Sequence, residues 1–168
     1  MQTATDRFLQ VVALVRVENG KRIVSSWFIA ILIAVLLWQT RWPSLHVGLL
    51  VLLVTQAAIP VALQNQNRIL SRDLNAWEST PPDEHSILHW FALQERSVGR
   101  LAAFENLGRL AGFALLAYGF WVASGYIWLA IGLGLIYPVI IYFGVTRNDT
   151  RRRRQELRKR KQELNLPQ

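Results

Sequence analysis

Residues 110–146 read LAGFALLAYGFWVASGYIWLAIGLGLIYPVIIYFGVT, and none of these 37 residues is Asp, Glu, Lys or Arg. As a single α-helix with a rise of about 1.5 Å per residue, this stretch would be roughly 55 Å long. The hydrocarbon core of a bilayer is about 30 Å thick and needs only about 20 apolar helical residues. The stretch therefore predicts two membrane-spanning helices, with Ser124 and Gly125 in the turn between them. The residues around this turn are the aromatic types found at membrane interfaces: Trp121, Tyr126 and Trp128.

Two further stretches without charged residues lie in the first half of the chain, at 23–40 and 43–67. Each is long enough for one span, and QTRWP at 39–43 predicts a tight turn between them. Apolar residues make up 52% of the sequence and charged residues only 18%, so the charges are concentrated outside these stretches. The predicted fold class is all-α: a polytopic membrane protein with four transmembrane helices in two hairpins and a cytoplasmic helical hairpin between them.

The chain then divides into five segments. They are a cytoplasmic N-terminal amphipathic segment at 1–22, a first transmembrane hairpin at 23–63, a cytoplasmic helical hairpin at 64–109, a second transmembrane hairpin at 110–146, and a basic cytoplasmic tail at 147–168.

The first of these segments lacks the pattern of a removable signal, because charges lie on both sides of its apolar residues. Its apolar residues repeat at helical spacing: Phe8, Val11, Val12 and Val15. The repeat predicts a short amphipathic helix on the inner membrane surface. Glu18, Asn19 and Gly20 are expected to end this helix.

Orientation follows from the positive charges. Of the 19 Lys and Arg residues, only Arg41 lies on the side of the two short turns. The positive-inside rule therefore predicts that both termini and the middle segment face the cytoplasm. We expect a multi-pass protein of the bacterial inner membrane, or of an organelle membrane derived from it.

The basic tail is expected to lie against anionic lipid headgroups, which attract each nearby basic residue by roughly 1 kcal/mol. Its densest run is Arg151, Arg152, Arg153 and Arg154. Docking on an acidic protein partner is the alternative. Nucleic acid is disfavoured as a partner, because the tail has no aromatic residue that could stack on bases.

The middle segment predicts two amphipathic helices. Leu63, Leu70, Leu74 and Trp77 form one stripe at helical spacing, so the second span is expected to continue out of the membrane. STPPDE at 79–84 ends that helix, and Pro82 is expected in the first turn of the next one. Four apolar residues of the next helix are expected to pack on the Leu70 and Trp77 stripe: Ile87, Leu88, Phe91 and Val98.

His85 and His89 are the strongest metal-ligand candidates, since side chains four residues apart on a helix can face one ion. The one other histidine, His46, is predicted on the opposite side of the membrane, so a third ligand is missing. The chain also has no cysteine. We assign no catalytic residue, metal ligand or cofactor-binding residue, and the cofactor, if there is one, is unknown.

Thr55 and Gln56 are polar residues within the second span, and Pro60 follows them. They form a candidate polar path through the membrane. The alternative interpretation is that Gln56 hydrogen-bonds to a neighbouring helix, which contributes about 0.6–2 kcal/mol.

Gly108 and Gly112 form a G-x-x-x-G motif, and Gly119 lies one heptad further along the same helix. Such small residues allow helix backbones to approach closely in lipid. This helix-packing or partner face is expected to meet either the fourth span or another chain.

These observations favour a non-catalytic small integral membrane protein that acts as an accessory or assembly subunit of a larger membrane complex. Its partners would be other integral membrane subunits or copies of itself, together with anionic lipid headgroups. The alternative is a small homo-oligomeric channel or carrier with its path near Gln56. A third hypothesis is a membrane-surface enzyme that uses His85 and His89.

Overall fold

The computed structural model describes residues 4–136, 140 and 147–164, and every regular element within them is helical. The elements are α1 at Ala4–Gln39, α2 at Pro43–Ser79, α3 at Glu84–Ser124, α4 at Ile127–Ile131, a π-helical segment at Gly132–Ile136, and α5 at Arg147–Glu163. The all-α prediction is confirmed for this part of the chain.

Three helices, and not the predicted four, are long and apolar enough to cross a membrane within the described residues. These are α1, α2 and α3, with 36, 37 and 41 residues. At about 1.5 Å per residue each is roughly 55–60 Å long, so each extends well beyond a hydrocarbon core of about 30 Å. The predicted fourth span begins with α4 and the π-helical segment, and then continues through residues 137–139 and 141–146, which are outside the described part.

The helices are interrupted at both of the positions where turns were predicted. α1 ends at Gln39 and α2 begins at Pro43, while α3 ends at Ser124. Gly125 follows with a φ of 73°, a left-handed conformation that favours glycine, and its N–H donates to the carbonyl of Trp121.

Both turns lie at the same end of the molecule, which we call the turn end. The hydroxyl of Ser44 on α2 donates to the carbonyl of Gly119 on α3 over 2.8 Å. Nearby, the rings of Trp42 and Phe120 have centroids 6.1 Å apart. The most exposed aromatic residues at this end are Trp38 and Trp128, at 89% and 82% exposure, as is typical of an aromatic belt.

At the opposite end the helices enclose a hydrophobic core, and we call this part of the structure the head bundle. Its buried residues come from four helices: Phe8, Val11, Val12 and Val15 of α1, Leu70 of α2, Ile87, Trp90 and Phe91 of α3, and Leu157 of α5. Leu74, Trp77 and Val98 pack against them, as the stripe in the middle segment predicts.

Phe8 lies at the centre of this core and is fully buried. Its ring centroid is 5.2 Å from that of Trp77, 5.3 Å from that of Trp90 and 6.1 Å from that of Phe91. Tilted and edge-to-face aromatic pairs of this kind each contribute about 0.5–1.5 kcal/mol beyond the area that they bury. The aromatic cluster therefore fixes the start of α1 against α2 and α3.

The predicted end of the first helix at Glu18, Asn19 and Gly20 is wrong, because α1 runs through all three residues. Asn19 does not act as a cap: its side-chain amide donates to the Asn67 side chain of α2 over 3.1 Å. An interior glycine costs a helix about 1 kcal/mol. The apolar residues buried before Gly20 offset that cost, and they lie in the head bundle and not on a membrane surface as predicted.

The connection from α2 to α3 also differs in detail from the prediction. Pro82 lies before the helix, and Asp83 is the N-cap, whose carboxylate accepts from the backbone N–H of Ser86 over 3.0 Å. The hydrogen bonds from Ser86 hold the pKa of Asp83 below its usual value. From Glu84 the helix continues unbroken to Ser124.

The basic tail is helical, and α5 docks on the head bundle. Leu157 is buried in the shared core, while Arg158 pairs with Glu95 at 3.3 Å and Arg160 with Glu18 at 3.4 Å. Within the predicted lipid-facing run, Arg151, Arg152 and Arg154 are exposed and Arg153 is half-buried. Arg153 pairs with Asp149 over 2.9 Å. The tail is thus an amphipathic helix with one face on the protein.

Candidate functional site

A cluster of charged and polar side chains lies where the apolar part of the helices meets the head bundle, and we call it the junction. It consists of Arg22 on α1, Gln56 on α2, and Glu105 and Arg109 on α3. The sequence places Arg22 directly before the first uncharged stretch and Arg109 directly before the third. Since α1 and α3 run in the same direction, Arg22 and Arg109 lie at a similar height along the helix axes.

Glu105 is the centre of the junction. Its Oε2 accepts from Arg22 Nη2 over 2.9 Å, and its Oε1 forms an ion pair with Arg109 Nη2 at 2.5 Å. With the Gln56 amide turned so that its oxygen faces Arg109, that oxygen accepts from Nε at 3.0 Å and from Nη2 at 3.2 Å. The junction therefore connects all three long helices through one carboxylate and one amide.

The junction is shielded from solvent, which raises the cost of disturbing it. Glu105 is 7% exposed and Gln56 is 3% exposed. The Arg22 and Arg109 side chains keep 19% and 22% exposure. Removing one partner from a buried ion pair typically costs about 3–5 kcal/mol, because the other charge is left without compensation. The geometry therefore gives these residues a structural role, in which they hold α1, α2 and α3 in register.

The position of the junction can be measured along α3 from the turn end. Glu105 lies 19 residues before Ser124, which corresponds to about 29 Å along the helix. A hydrocarbon layer of about 30 Å that starts at the turn end would extend as far as Glu105. By the same measure Arg109, 15 residues before Ser124, would lie about 22 Å from the turn end and thus inside such a layer.

Two amide pairs lie on the head side of the junction. Gln66 on α2 donates to Gln94 on α3 over 2.6 Å, in addition to the Asn19 and Asn67 pair between α1 and α2. Between them is a cavity of about 40 Å³, which has room for a few water molecules. Its charged lining includes Arg22 of α1 together with Arg153 and Arg160 of α5.

Thr55 and Gln56, the predicted polar path, are both buried by the packing of the helices. The Thr55 hydroxyl donates to the carbonyl of Val51 over 2.7 Å, one turn earlier in the same helix. Gln56 bonds to Arg109 as described above. In this conformation both side chains have internal partners, and the cavity at the junction is lined by other residues.

The three glycines of the predicted packing face lie on the side of α3 that meets α2. A Cβ atom at Gly108 would clash with the Thr55 side chain, and one at Gly112 would lie 2.5 Å from the Leu52 side chain. One at Gly119 would clash with the backbone of Ser44. Among the residues that the structure describes, the face therefore serves close packing within the chain, against α2.

His85 and His89 lie on the first turns of α3, at the outer end of the head bundle, and both are exposed. Within the described residues, no group of three or more His, Cys, Asp or Glu side chains could hold a metal ion. The Nε2 atom of His46 lies 3.1 Å from the carbonyl of Thr40 at the turn end, far along the chain from the other two histidines.

The sequence indicates only one of the contacts that form the junction, the pair of Glu105 with Arg109. Glu105 and Arg109 are four residues apart, which predicts a pair on one helix. The bond to Arg22 joins residues 83 positions apart in the chain and requires the three-dimensional packing.

Comparison of the chain with protein-family models, with curated proteins and with solved structures finds no match in any of the three.

Proposed function

We propose that this chain is a non-catalytic integral membrane protein that acts as an accessory or assembly subunit of a larger membrane complex. In this proposal it crosses the bacterial inner membrane, or a membrane derived from it, four times in two hairpins. Both termini and the head bundle face the cytoplasm, which agrees with the position of 18 of the 19 Lys and Arg residues.

One observation carries the proposal: α1, α2 and α3 continue from their apolar parts into the head bundle without a break. Ser79, at the end of α2, lies 36 residues after Pro43, or about 54 Å along the helix. Subtracting a hydrocarbon layer of about 30 Å leaves a head that projects roughly 24 Å beyond it. A rigid projection that is fixed to the membrane part is suited to presenting a surface to other subunits.

The junction supports the same proposal. Its charges join the helices to one another, so a displacement of the head bundle by a bound partner would be transmitted to the spans. The exposed arginines of α5 then add a cationic outer surface, to which anionic lipid or an acidic partner subunit is complementary.

The proposal is tested by purifying the tagged full chain in mild detergent and identifying the co-purifying proteins by quantitative mass spectrometry. A stable set of different membrane subunits supports it, whereas a ring of identical copies supports the channel alternative. Two substitutions sharpen the result. Phe91→Ala removes a buried ring of the head bundle and should release the partners, while Phe28→Ala removes a ring that is 63% exposed on α1 and should retain them.

A homo-oligomeric channel or carrier stays the second candidate, because one observation favours it. Ionisable residues at membrane depth often belong to ion or proton pathways, and Glu105 lies close to Gln56 at that depth, with Arg109 between them. The test is ion or proton flux in proteoliposomes that contain the purified chain. Flux that is abolished by Glu105→Gln would favour the carrier, and the accessory role predicts that the purified chain alone gives no flux.

A further inference from the structure

A groove of about 630 Å³ lies between α2 and α3, outside the junction and outside the packing face. Its volume is within the roughly 300–1,000 Å³ that is usual for ligand sites. Much of its wall is small or apolar: Ala58, Ala62, Ile69, Leu93, Leu101 and Phe104. Leu93 and Phe104 are 48% and 46% exposed, so a long apolar surface is left uncovered.

Two arginines, Arg96 and Arg100, also line this groove. They lie one turn apart on α3, where like charges repel each other. No ion pair involves either of them within the described part of the chain, and Asp73 is the one carboxylate among the lining residues. Two guanidinium groups next to each other form a site for an anion, and arginine binds phosphate with two parallel hydrogen bonds.

The depth of these residues indicates which anion. Phe104 lies 20 residues before Ser124, or about 30 Å from the turn end, at the boundary of a hydrocarbon layer. Ala62 lies 19 residues after Pro43, at about 28 Å, and so at the same boundary. Arg100 lies about 36 Å from the turn end, which is the level of the headgroups.

We propose that this groove binds one anionic phospholipid. The phosphate lies between Arg96 and Arg100, and the acyl chains run along Ala62 and Phe104 into the hydrocarbon layer. Ala58, Ala62 and Phe104 lie nearer the turn end than Arg100 and Arg96, which is the order of acyl chains and phosphate in such a lipid. The site is separate from the basic tail, and it depends on the membrane placement of the chain but not on its accessory role.

Trp90 adds a further feature at the head end of the groove. It is 4% exposed, and its indole N–H has no hydrogen-bond acceptor within the described residues. A buried donor without an acceptor is unusual in proteins. The glycerol or other polar headgroup of a bound lipid is a source of an acceptor at this end.

The experiment uses the full chain, purified in a neutral detergent and delipidated. Binding of phosphatidylglycerol and of phosphatidylcholine is measured by native mass spectrometry. Arg96→Gln with Arg100→Gln should weaken phosphatidylglycerol binding about 30-fold, or roughly fivefold for each basic residue at a membrane surface. The matched control is Arg68→Gln with Arg72→Gln, which removes two arginines at the same spacing and a similar depth on α2, outside the groove.

A third variant tests the acyl chains. Ala62→Phe places a ring in the apolar part of the groove without a change in charge, and it should weaken phosphatidylglycerol binding while both arginines remain. Equal losses in the two arginine pairs would overturn the proposal, because they would show general charge attraction. Binding that Ala62→Phe leaves unchanged, or glycerol phosphate that competes as well as the intact lipid, would overturn it too, because the apolar wall would then have no part.

Discussion

Replacing Glu105 with Gln removes the anion that joins α1 to α3. In the native structure each carboxylate oxygen pairs with a different arginine, at 2.9 Å from Arg22 and 2.5 Å from Arg109. A glutamine of the same shape still offers one oxygen, but its NH₂ group must face the other guanidinium. Because Glu105 is only 7% exposed, water can replace the lost acceptor only at the exposed parts of the two arginines, whose side chains keep 19% and 22% exposure.

The expected cost is about 3 kcal/mol, at the lower end of the range for breaking a buried ion pair, since both arginines keep some contact with solvent. For a domain of about 150–250 residues, 1 kcal/mol corresponds to roughly 2–4 °C in Tm. We therefore expect Glu105→Gln to lower Tm by about 10 °C. The assay is thermal unfolding of the purified full chain in detergent, followed by circular dichroism.

The matched control is Glu156→Gln, the same substitution in an exposed pair with Arg152 on α5. Exposed ion pairs contribute little, so Tm should hardly change. A second substitution, Arg22→Gln in the Glu105→Gln background, should recover part of the lost stability because it removes one uncompensated cation. Equal Tm values for Glu105→Gln and Glu156→Gln would show that the junction does not stabilise the three long helices.

Further substitutions and one pH dependence test other parts of the structure. Gly108→Leu with Gly112→Leu should lower the abundance and Tm of the purified chain, since overpacking typically costs about 1–3 kcal/mol. Gly20→Ala, by contrast, should raise the free energy of unfolding by about 0.5–1 kcal/mol, because nothing lies within 4 Å of the added Cβ. Leu157→Ser should detach α5, and hydrogen exchange should then become fast along α5 but not at the turn end. The pKa of Asp83 is lowered in the folded state, so its capping bond stabilises the start of α3 above the ordinary value of 3.8 and is lost as pH falls through the lower folded value. The protection factor of the Ser86 amide, which compares its exchange rate with the intrinsic rate at the same pH, should therefore fall only in that acidic range. Asp83→Ala should abolish this pH dependence.

The long helices and their turns were predictable because their causes are local. Uncharged stretches of sufficient length, a proline at the start of α2 and a glycine after α3 act within a few residues of each boundary. The helix end expected at Gly20 was wrong because packing decided it: the buried ring of Phe8 and the bond from Asn19 to Asn67 stabilise a helix that the local sequence would interrupt.

The candidate site was less predictable, since it depends on contacts between distant residues. Glu105 and Arg109 were recognisable as a pair on one helix, but the partnership with Arg22 and the contact of Arg109 with Gln56 follow only from the packing of α1, α2 and α3. Composition likewise identified the basic tail without showing that Leu157 docks it on the head bundle. The residue types predicted membrane insertion, and the packing of the helices shows which charged residues pair with one another.

The accessory role and the lipid groove both require that the head bundle and the turn end lie on opposite sides of a membrane. The chain has no cysteine, so single cysteines at Ser124 and at Ser79 can be labelled separately with a membrane-impermeant maleimide in intact cells. We expect Ser124→Cys to react in intact cells and Ser79→Cys to react only after lysis. Labelling of Ser79→Cys in intact cells would place the head bundle outside the cytoplasm and overturn this arrangement.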